Sequence, residues 1–275
     1  MLSYRHAFHA GNHADVIKHL VLVNTLEYLL RKAAPVLYID THAGAGGYGL
    51  DNSEARKTGE AIEGIGALNF NVLPKAVDTY RTLVEPYLKR RQYPGSPRLA
   101  ADLLRSEDRL CLFELHPADH KVLDHSFSKD RRVRVAQSNG FDSLKALLPA
   151  KNKRALVLTD PSYELKSDYD QVADSILQGY KRMSHGVFLV WYPVVQRQWV
   201  NRMISRLKKG AVRDLWQFEL AVTADTEDYG MTASGLLAIN PPWVLPEQMG
   251  SLLPAIQQQL APETGFTLVE QLVAE

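Results

Sequence analysis

The stretch VLYIDTHAGAGGYG, residues 36–49, joins a short apolar run to a glycine-rich turn. Residues 36–40 have the near-continuous apolar character of a strand that is covered on both faces of a parallel sheet. The glycines that follow allow the backbone to turn sharply and to approach a ligand closely. In α/β folds, ligands bind at the carboxyl ends of the parallel strands. The stretch therefore predicts the first strand of an α/β sheet and a ligand-binding loop after it.

Similar apolar runs recur along the chain, and helical patterns separate them. Further strands are predicted at residues 109–115, 133–137, 155–159, 186–192, 215–222 and 235–240. Helices are predicted at residues 12–32, 97–106, 117–129, 142–148, 169–183 and 196–209. The helix at residues 12–32 is expected to be amphipathic, and Ser96 is expected to cap the next one. A polar loop joins the last two strands, which predicts an antiparallel hairpin at the edge of the sheet. This is the layout of the Rossmann-like, seven-stranded methyltransferase fold.

The first crossover is unusually long. More than fifty residues separate the first strand from the helix at residue 97, where a few are usual. Residues 55–68 and 74–89 have helical patterns. We therefore predict a helical insertion subdomain at residues 47–95, with residues 1–46 and 96–275 forming the main domain.

Composition restricts the class of protein. The 275 residues are 45% hydrophobic and 23% charged, which is typical of a folded globular chain. No apolar run is long enough to cross a membrane and no signal peptide is recognised, so a cytoplasmic protein is expected. A single cysteine, Cys111, excludes a disulfide framework. It is expected to be buried, which leaves no cysteine placed as a nucleophile for methylating carbon 5 of a pyrimidine.

Charge is distributed unevenly, although the net charge is only +1. Residues 175–213 contain no acid, whereas residues 214–275 contain nine acids and neither lysine nor arginine. The basic stretch predicts a surface that binds nucleic-acid phosphates. A solvated helix face is the alternative. The cations expected to contact RNA are Arg202, Arg206, Lys208 and Lys209.

The most informative motif is LVLTDPSYE, residues 156–164, which places Asp160-Pro161-Ser162-Tyr163 after the fourth strand. Amino-directed nucleic-acid methyltransferases carry Asp/Asn-Pro-Pro-Tyr/Phe there. The lone pair of an exocyclic amine is delocalised, so acceptors at Asp160 and the Pro161 carbonyl would bind its hydrogens and direct the lone pair to a methyl donor. Tyr163 offers a ring on which an extruded base can stack. Alone, the motif is also an acceptable turn.

Polar groups at neighbouring strand ends point to a nucleotide-like cofactor. Glu114 follows the second strand and can accept hydrogen bonds from both ribose hydroxyls, and Asn139 follows the third and can accept one from an adenine amine. Gly44, Gly46 and Gly49 also satisfy G-x-G-x-x-G, but the polar stretch that follows begins a helix poorly. A nicotinamide oxidoreductase is therefore a distant alternative. The N-terminal histidines lack the carboxylate or thiol partners of a metal site, so no metal is expected.

Seven strings of residues together resemble the bacterial 23S rRNA adenine-N6 methyltransferase J family. They are MLSYRHAFHAGNHADVIKH (1–19), YIDTHAGAG (38–46), YPGSP (93–97), FELHP (113–117), DPSYE (160–164), WYPVV (191–195) and GMTASG (230–235). The resemblance implies S-adenosylmethionine as the cofactor, and N6-methylation of one adenine in 23S rRNA as the activity. It also implies action without an obligate protein partner, and a monomer is expected. Some members carry an older label that links them to the use of external DNA.

The resemblance further implies roles for the residues at matching positions. Asp160 is the catalytic residue and also borders the cofactor, while Tyr4 and His6 belong to a tail that closes over the target base. The other positions implied to bind the cofactor, together with Gly44 from the first turn, are Lys18, His19, His42, Ser96, Glu114, Asn139 and Gly140.

The chain departs from the family pattern at two positions. Asn139 stands where the family usually has Asp, and its amide oxygen is a weaker acceptor than a carboxylate. Ser162 stands where the family has a second proline, which would restrict Pro161. The alternatives are a methyltransferase acting on DNA adenine or cytosine amines, or a decayed protein that binds cofactor and RNA without turnover.

Overall fold

The computed structural model describes residues 5–52, 57–226 and 230–275. Its centre is an eight-stranded sheet with the strand order β5-β4-β1-β6-β7-β9-β8-β10. The first five of these strands are parallel, and the last three pair antiparallel. They are β1 Leu37–Asp40, β4 Arg109–Phe113, β5 Val133–Ala136, β6 Ala155–Thr159, β7 Val187–Val194, β8 Leu215–Ala221, β9 Ala233–Ile239 and β10 Phe266–Val273.

Helices cover both faces of this sheet, which confirms the predicted α/β class. One face packs against α1, α4, α5 and α9, and the other against α6, α7 and α8. Their bounds are α1 His13–Leu29, α4 Ser96–Leu103, α5 Pro117–Phe127, α6 Ser143–Leu147, α7 Ser167–Arg182, α8 Arg197–Lys209 and α9 Leu245–Leu260. None of the helices in the described ranges is long and apolar enough to cross a membrane.

Helix α1 is not the amphipathic surface helix that the sequence predicts. Every residue from 14 to 26 is buried, including Asp15, Lys18 and His19. The helix lies between the antiparallel half of the sheet and helices α4 and α9, so its polar side chains are enclosed on every side. Polar residues inside such a helix require partners within the protein, and the site described below supplies them.

Strands β8 and β9 pair antiparallel, which confirms the predicted pairing, but they do not form the edge of the sheet. Strand β9 lies between β7 and β8, and β10 pairs with β8 to form the edge of the sheet. The sequence analysis assigned neither α9 nor β10. Strand β10 was not predicted because it is only half-buried and mixes polar with apolar residues, which weakens its hydrophobic pattern.

The insertion contains less regular helix than predicted. Within residues 57–68 only residues 57–58 and α2, Glu60–Glu63, are α-helical, because Gly59 and Gly64 take non-helical backbone angles at the two ends of α2. Helix α3 runs from Asp78 to Leu88, and three short 3-10 turns precede it. Strands β2, Gly47–Gly49, and β3, Gln92–Pro94, pair antiparallel and bring the two ends of the insertion together.

Candidate active site

A cleft of about 890 Å³ opens at the carboxyl ends of the parallel strands. It lies where the strand order reverses, because β1 has β4 on one side and β6 on the other. Ligands of open α/β sheets bind at this place. The residues predicted for the site that line this cleft are His6, Lys18, His19, His42, Gly44, Ser96, Glu114, Asn139, Gly140, Asp160, Pro161 and Tyr163. Tyr4 lies outside the described residues.

A lysine that lies between two carboxylates is part of the cleft lining. The Lys18 ammonium is 2.6 Å from Asp160 Oδ2 and 2.8 Å from Asp15 Oδ1. Burial lowers the pKa of Lys18, but the two carboxylates outweigh it and raise the pKa well above its usual value. Burial also raises the pKa of Asp160, against the opposing effect of Lys18. The second oxygen of Asp160, Oδ1, accepts no hydrogen bond from the residues described.

Asp15 joins this lysine to the N-terminal segment. Its Oδ2 accepts hydrogen bonds from the Gly11 amide at 2.8 Å and from His6 Nε2 at 3.0 Å. Burial raises the pKa of Asp15, but His6 and Lys18 outweigh it and hold the pKa well below the usual range. The sequence analysis missed Asp15. The available signal was an acid one helical turn before Lys18, on the same face of α1.

The end of β1 holds a buried carboxyl group that the sequence analysis also missed. Asp40 is fully buried and accepts hydrogen bonds from Tyr38 at 2.8 Å and from Ser96 at 2.7 Å. Burial raises the pKa of Asp40 to about 6, against the hydrogen bonds from Ser96 and Tyr38. The prediction that Ser96 caps α4 is wrong, since Gly95 is the N-cap and the serine hydroxyl is directed to Asp40.

Glu114 holds the loop after β1 in place. Its two oxygens accept the amides of Gly44 at 2.9 Å and of His116 at 2.6 Å. Gly44 has φ of +62°, and a Cβ there would lie 2.3 Å from the Tyr48 hydroxyl. Strand β2 follows this turn, not a helix, so the structural context of a dinucleotide fingerprint is absent from residues 44–52.

Asn139 and Gly140 form the wall after β5. The Asn139 side-chain oxygen accepts the Phe141 amide at 3.1 Å, so it already has one donor. A Cβ on Gly140 would lie 1.7 Å from the Thr41 carbonyl oxygen, which makes glycine necessary for the close approach of the two loops.

Two histidines of the cleft wall are held neutral by burial. Burial lowers the pKa of both His19 and His42 to about 3. His19 Nδ1 is 2.9 Å from the Tyr93 hydroxyl, and His42 packs edge-on against Phe141. The Nε2 atom of His19 is buried and has no hydrogen-bond partner among the described residues.

Tyr163 is fixed firmly at the end of the Asp160 loop. Its hydroxyl donates to the Trp191 carbonyl at 2.6 Å, and its ring contacts those of Tyr169 and Trp191. It adopts φ of +50°, a left-handed conformation that costs free energy for a tyrosine. Such strain persists only where the surrounding contacts enforce it, as they do here.

The cations of α8 do not line the cleft. Arg202 and Arg206 form ion pairs with Asp170 at 2.7 Å and 2.9 Å, and Arg206 also pairs with Asp174. Lys208 and Lys209 are exposed in the last turn of α8, and no residue of this helix is among those that line the cleft. The four cations belong to one helix, but the structure does not bring them to the cleft.

Two remaining expectations concern cysteine and metals. Cys111 was expected to be buried, but it is only half-buried in β4; it is absent from the cleft lining. Among the residues that the structure describes, no group of three or more His, Cys, Asp or Glu side chains could hold a metal ion.

Comparison with known proteins identifies the family. Residues 33–273 match the family model described as RsmJ, "Ribosomal RNA large subunit methyltransferase D, RlmJ". Two proteins named "Ribosomal RNA large subunit methyltransferase J", from Escherichia coli strain K12 and Haemophilus influenzae, are each 48% identical to this chain over the full length of both. A crystal structure of a Legionella pneumophila protein superposes with a TM-score of 0.89 at 35% identity, covering 96% of this chain and 98% of that one.

The family model covers well over half of the chain, and the two relatives match it from end to end. The fold matches the Legionella structure over nearly its whole length. The chain therefore belongs to the ribosomal RNA large subunit methyltransferase J family.

Proposed function

We propose that this protein transfers a methyl group from S-adenosylmethionine to the exocyclic N6 amine of one adenine in 23S rRNA. The single observation that carries the proposal is the position of Asp160. Its carboxylate lies in the cleft at the switch point of the sheet, with Oδ2 held by Lys18 and Oδ1 left to accept a hydrogen bond. The matching relatives are named as methyltransferases of large-subunit rRNA.

Asp160 is proposed to act on the amine through Oδ1. An amine hydrogen donated to this oxygen, and a second to the Pro161 carbonyl, would hold the nitrogen with its lone pair directed into the cleft. A preorganised acceptor inside an enclosed site stabilises the positive charge that develops on nitrogen during attack. Lys18 fixes the orientation of the carboxylate by binding the other oxygen. Tyr163, whose hydroxyl is already anchored to Trp191, would provide the ring that packs against the base.

The cleft wall suits S-adenosylmethionine by the chemistry of its polar groups. Each oxygen of Glu114 accepts one backbone amide and keeps a lone pair for a ribose hydroxyl. The buried Nε2 of His19 lacks a partner among the described residues, and burial of such an atom requires one. We propose that Lys18, His19, His42 and Ser96 hold the methionine end. Gly44, Asn139 and Gly140 would surround the nucleoside. When bound, S-adenosylmethionine supplies an electrophilic methyl group on its sulfur.

We extend the proposal to how the protein meets its substrate. We propose that the protein acts in the cytoplasm as a monomer without an obligate protein partner, as the resemblance to the family implies. His6, together with Tyr4, would help to close the N-terminal segment over the target base. His6 is suited to this because it already contacts Asp15 at the cleft.

The deciding experiment is single-turnover methyl transfer to unmodified 23S rRNA, with DNA of the same sequence as the control. The wild-type protein should methylate the RNA at one adenine. Asp160→Ala should slow transfer about a hundredfold or more, because it removes the acceptor of the amine hydrogen. It should still bind S-adenosylhomocysteine, which checks that the fold is intact.

Other results of the same experiment would identify the alternatives. Full activity of Asp160→Ala would place the chemistry elsewhere. Preferential methylation of DNA would favour the DNA amino-methyltransferase. An inactive wild type that Ser162→Pro restores would indicate a decayed enzyme, because the proline restricts Pro161 and returns the loop to the family pattern.

A further inference from the structure

We propose that Asp15 is a positioning residue of the active site, which acts through Lys18 to set the orientation and the charge balance of Asp160. Asp15 belongs to none of the residues assigned above to the substrate or the cofactor. The inference deepens the proposed function, and the part of its test that measures turnover depends on that function.

Asp15 connects the N-terminal segment to Lys18 and, through Lys18, to Asp160. It is 1% exposed and contacts three groups from different parts of the N-terminal region: the Gly11 amide, His6 Nε2 and Lys18 Nζ. Its backbone amide donates to Asn12, the N-cap of α1, at 3.0 Å, so its place in the first turn of the helix is fixed. Lys18 lies one turn further along the helix and reaches Asp160, 142 residues away in the chain. A displacement of Asp15 is therefore transmitted directly to Asp160.

Charge gives Asp15 a second effect. The Lys18 ammonium lies between the buried carboxylate of Asp15 and the partly exposed carboxylate of Asp160, and it attracts both. The negative charge of Asp15 also raises the pKa of Asp160 directly. Without that charge, Lys18 would pair with Asp160 alone, and the ionised form of Asp160 would be favoured. The amine would then meet a carboxylate that is more tightly paired and a weaker acceptor.

Several other groups also face Asp160, and the test must separate them from Asp15. Some of these groups shift the pKa of Asp160, and for others Asp160 shifts theirs. They lie on α1, on the N-terminal segment, on β1 and in the loop of Asp160 itself. They are Lys18, His6, Tyr38, Asp40 and Tyr163. Asp40 needs particular care because its own pKa, raised by burial, is about 6.

The experiment is a pH titration of the aspartate carboxyl groups by carbon-13 NMR, in full-length protein without ligand. The Asp160 and Asp40 signals are assigned from Asp160→Asn and Asp40→Asn. In Asp15→Asn, the midpoint of Asp160 should move to lower pH by about one unit, because a nearby like charge is lost. The midpoint of Asp40 should remain in place. Asp15→Glu, which keeps the charge, should leave the Asp160 midpoint close to that of the wild type.

Glu219→Gln is the matched control. Glu219 is also 1% exposed and also binds a cation, Arg197, at 2.7 Å, but it does not contact Lys18. It should lower stability without moving the Asp160 midpoint. If Asp15→Asn does not fold, Asp15→Ser replaces it with the same expectation, since a hydroxyl can still accept the Gly11 amide.

Turnover provides the second measurement. Single-turnover transfer by Asp15→Asn should slow about tenfold because the acceptor is misplaced, while Glu219→Gln should retain wild-type rates. An unchanged Asp160 midpoint in Asp15→Asn, or an equal shift in Glu219→Gln, would overturn the inference. If the midpoint moves as expected but the wild type transfers no methyl group to rRNA, the proposed function fails and the coupling of Asp15 to Asp160 stands.

Discussion

Asn139 shows how one atom limits a binding site. Its side-chain oxygen accepts the Phe141 amide, so a ligand amine would have to share that oxygen. Asn139→Asp keeps one oxygen for Phe141 and adds a second, charged acceptor. We expect S-adenosylhomocysteine to bind more tightly by about 1 kcal/mol, measured by calorimetry. Gln137→Glu adds the same charge two residues earlier and is the control. If Gln137→Glu gains as much affinity, the added negative charge, and not a hydrogen bond to the new carboxylate at position 139, is responsible for the tighter binding.

Some residues of the site were predictable because their place follows from the fold. Glu114, Asn139 and Asp160 each follow a parallel strand, and parallel strands end at one edge of the sheet. Asp15 and Asp40 were missed for a different reason. Asp15 has a local signal, its place one helical turn before Lys18, but its link to the site appears only through the contact of Lys18 with Asp160, 142 residues away in the chain. The need for Gly140 likewise arises only from the approach of Thr41.

At the scale of elements, helix α8 carries basic residues of two kinds, ion-paired and unpaired with the described residues. Arg202 and Arg206 are ion-paired with α7, whereas Lys208 and Lys209 are exposed and form no ion pair with the described residues. Replacing both lysines with glutamine should weaken RNA binding and reduce its salt slope by up to about one unit per lost phosphate contact. Replacing both arginines should mainly lower stability, by about 0–1 kcal/mol for each exposed pair.

Binding measured across a salt series, with thermal unfolding in parallel, distinguishes these outcomes. Unchanged salt slopes in both double variants would make α8 a solvated surface helix. A larger loss of slope in the arginine variant would mean that RNA displaces the acids of α7.

The elements themselves differ in how far the sequence predicts them. The buried strands β1, β6 and β7 are nearly continuous apolar runs, and their positions were predicted to within two residues. The position of helix α1 was predicted correctly, but its burial was not. Its polar residues suggest a solvent-exposed face until their buried partners are known. The insertion was assigned a helix over residues 55–68 although Gly59, Gly64 and Gly66 lie within that range.

For the whole molecule, the buried histidines predict how stability depends on pH. Burial lowers the pKa of His19 and His42 to about 3, below the value of about 6.5 expected in the unfolded chain. Their contribution is complete above pH 6.5 and is lost as the pH falls toward 3, by up to about 1.4 kcal/mol per pH unit for each residue. Asp40 opposes them, since its raised pKa stabilises the fold below about pH 4 and this contribution is lost as the pH rises through 6.

Thermal unfolding between pH 7 and pH 4.5 measures the balance. The melting temperature should fall on acidification, because His13, whose pKa burial lowers to about 4, acts with His19 and His42, and together they outweigh Asp40. His19→Gln should make the fall shallower. A flat profile in the wild type would contradict the assignment of neutral buried histidines.

The enclosure of α1 has a consequence for synthesis on the ribosome. This helix is made first, yet two of its packing partners, β9 and α9, are made more than two hundred residues later. Part of its apolar surface therefore remains uncovered while most of the chain emerges, and such surface is prone to aggregation. The nascent protein cannot complete its core by folding from the first residue onward. The C-terminal strands and the last helix can cover the first helix only after nearly the whole chain has been made.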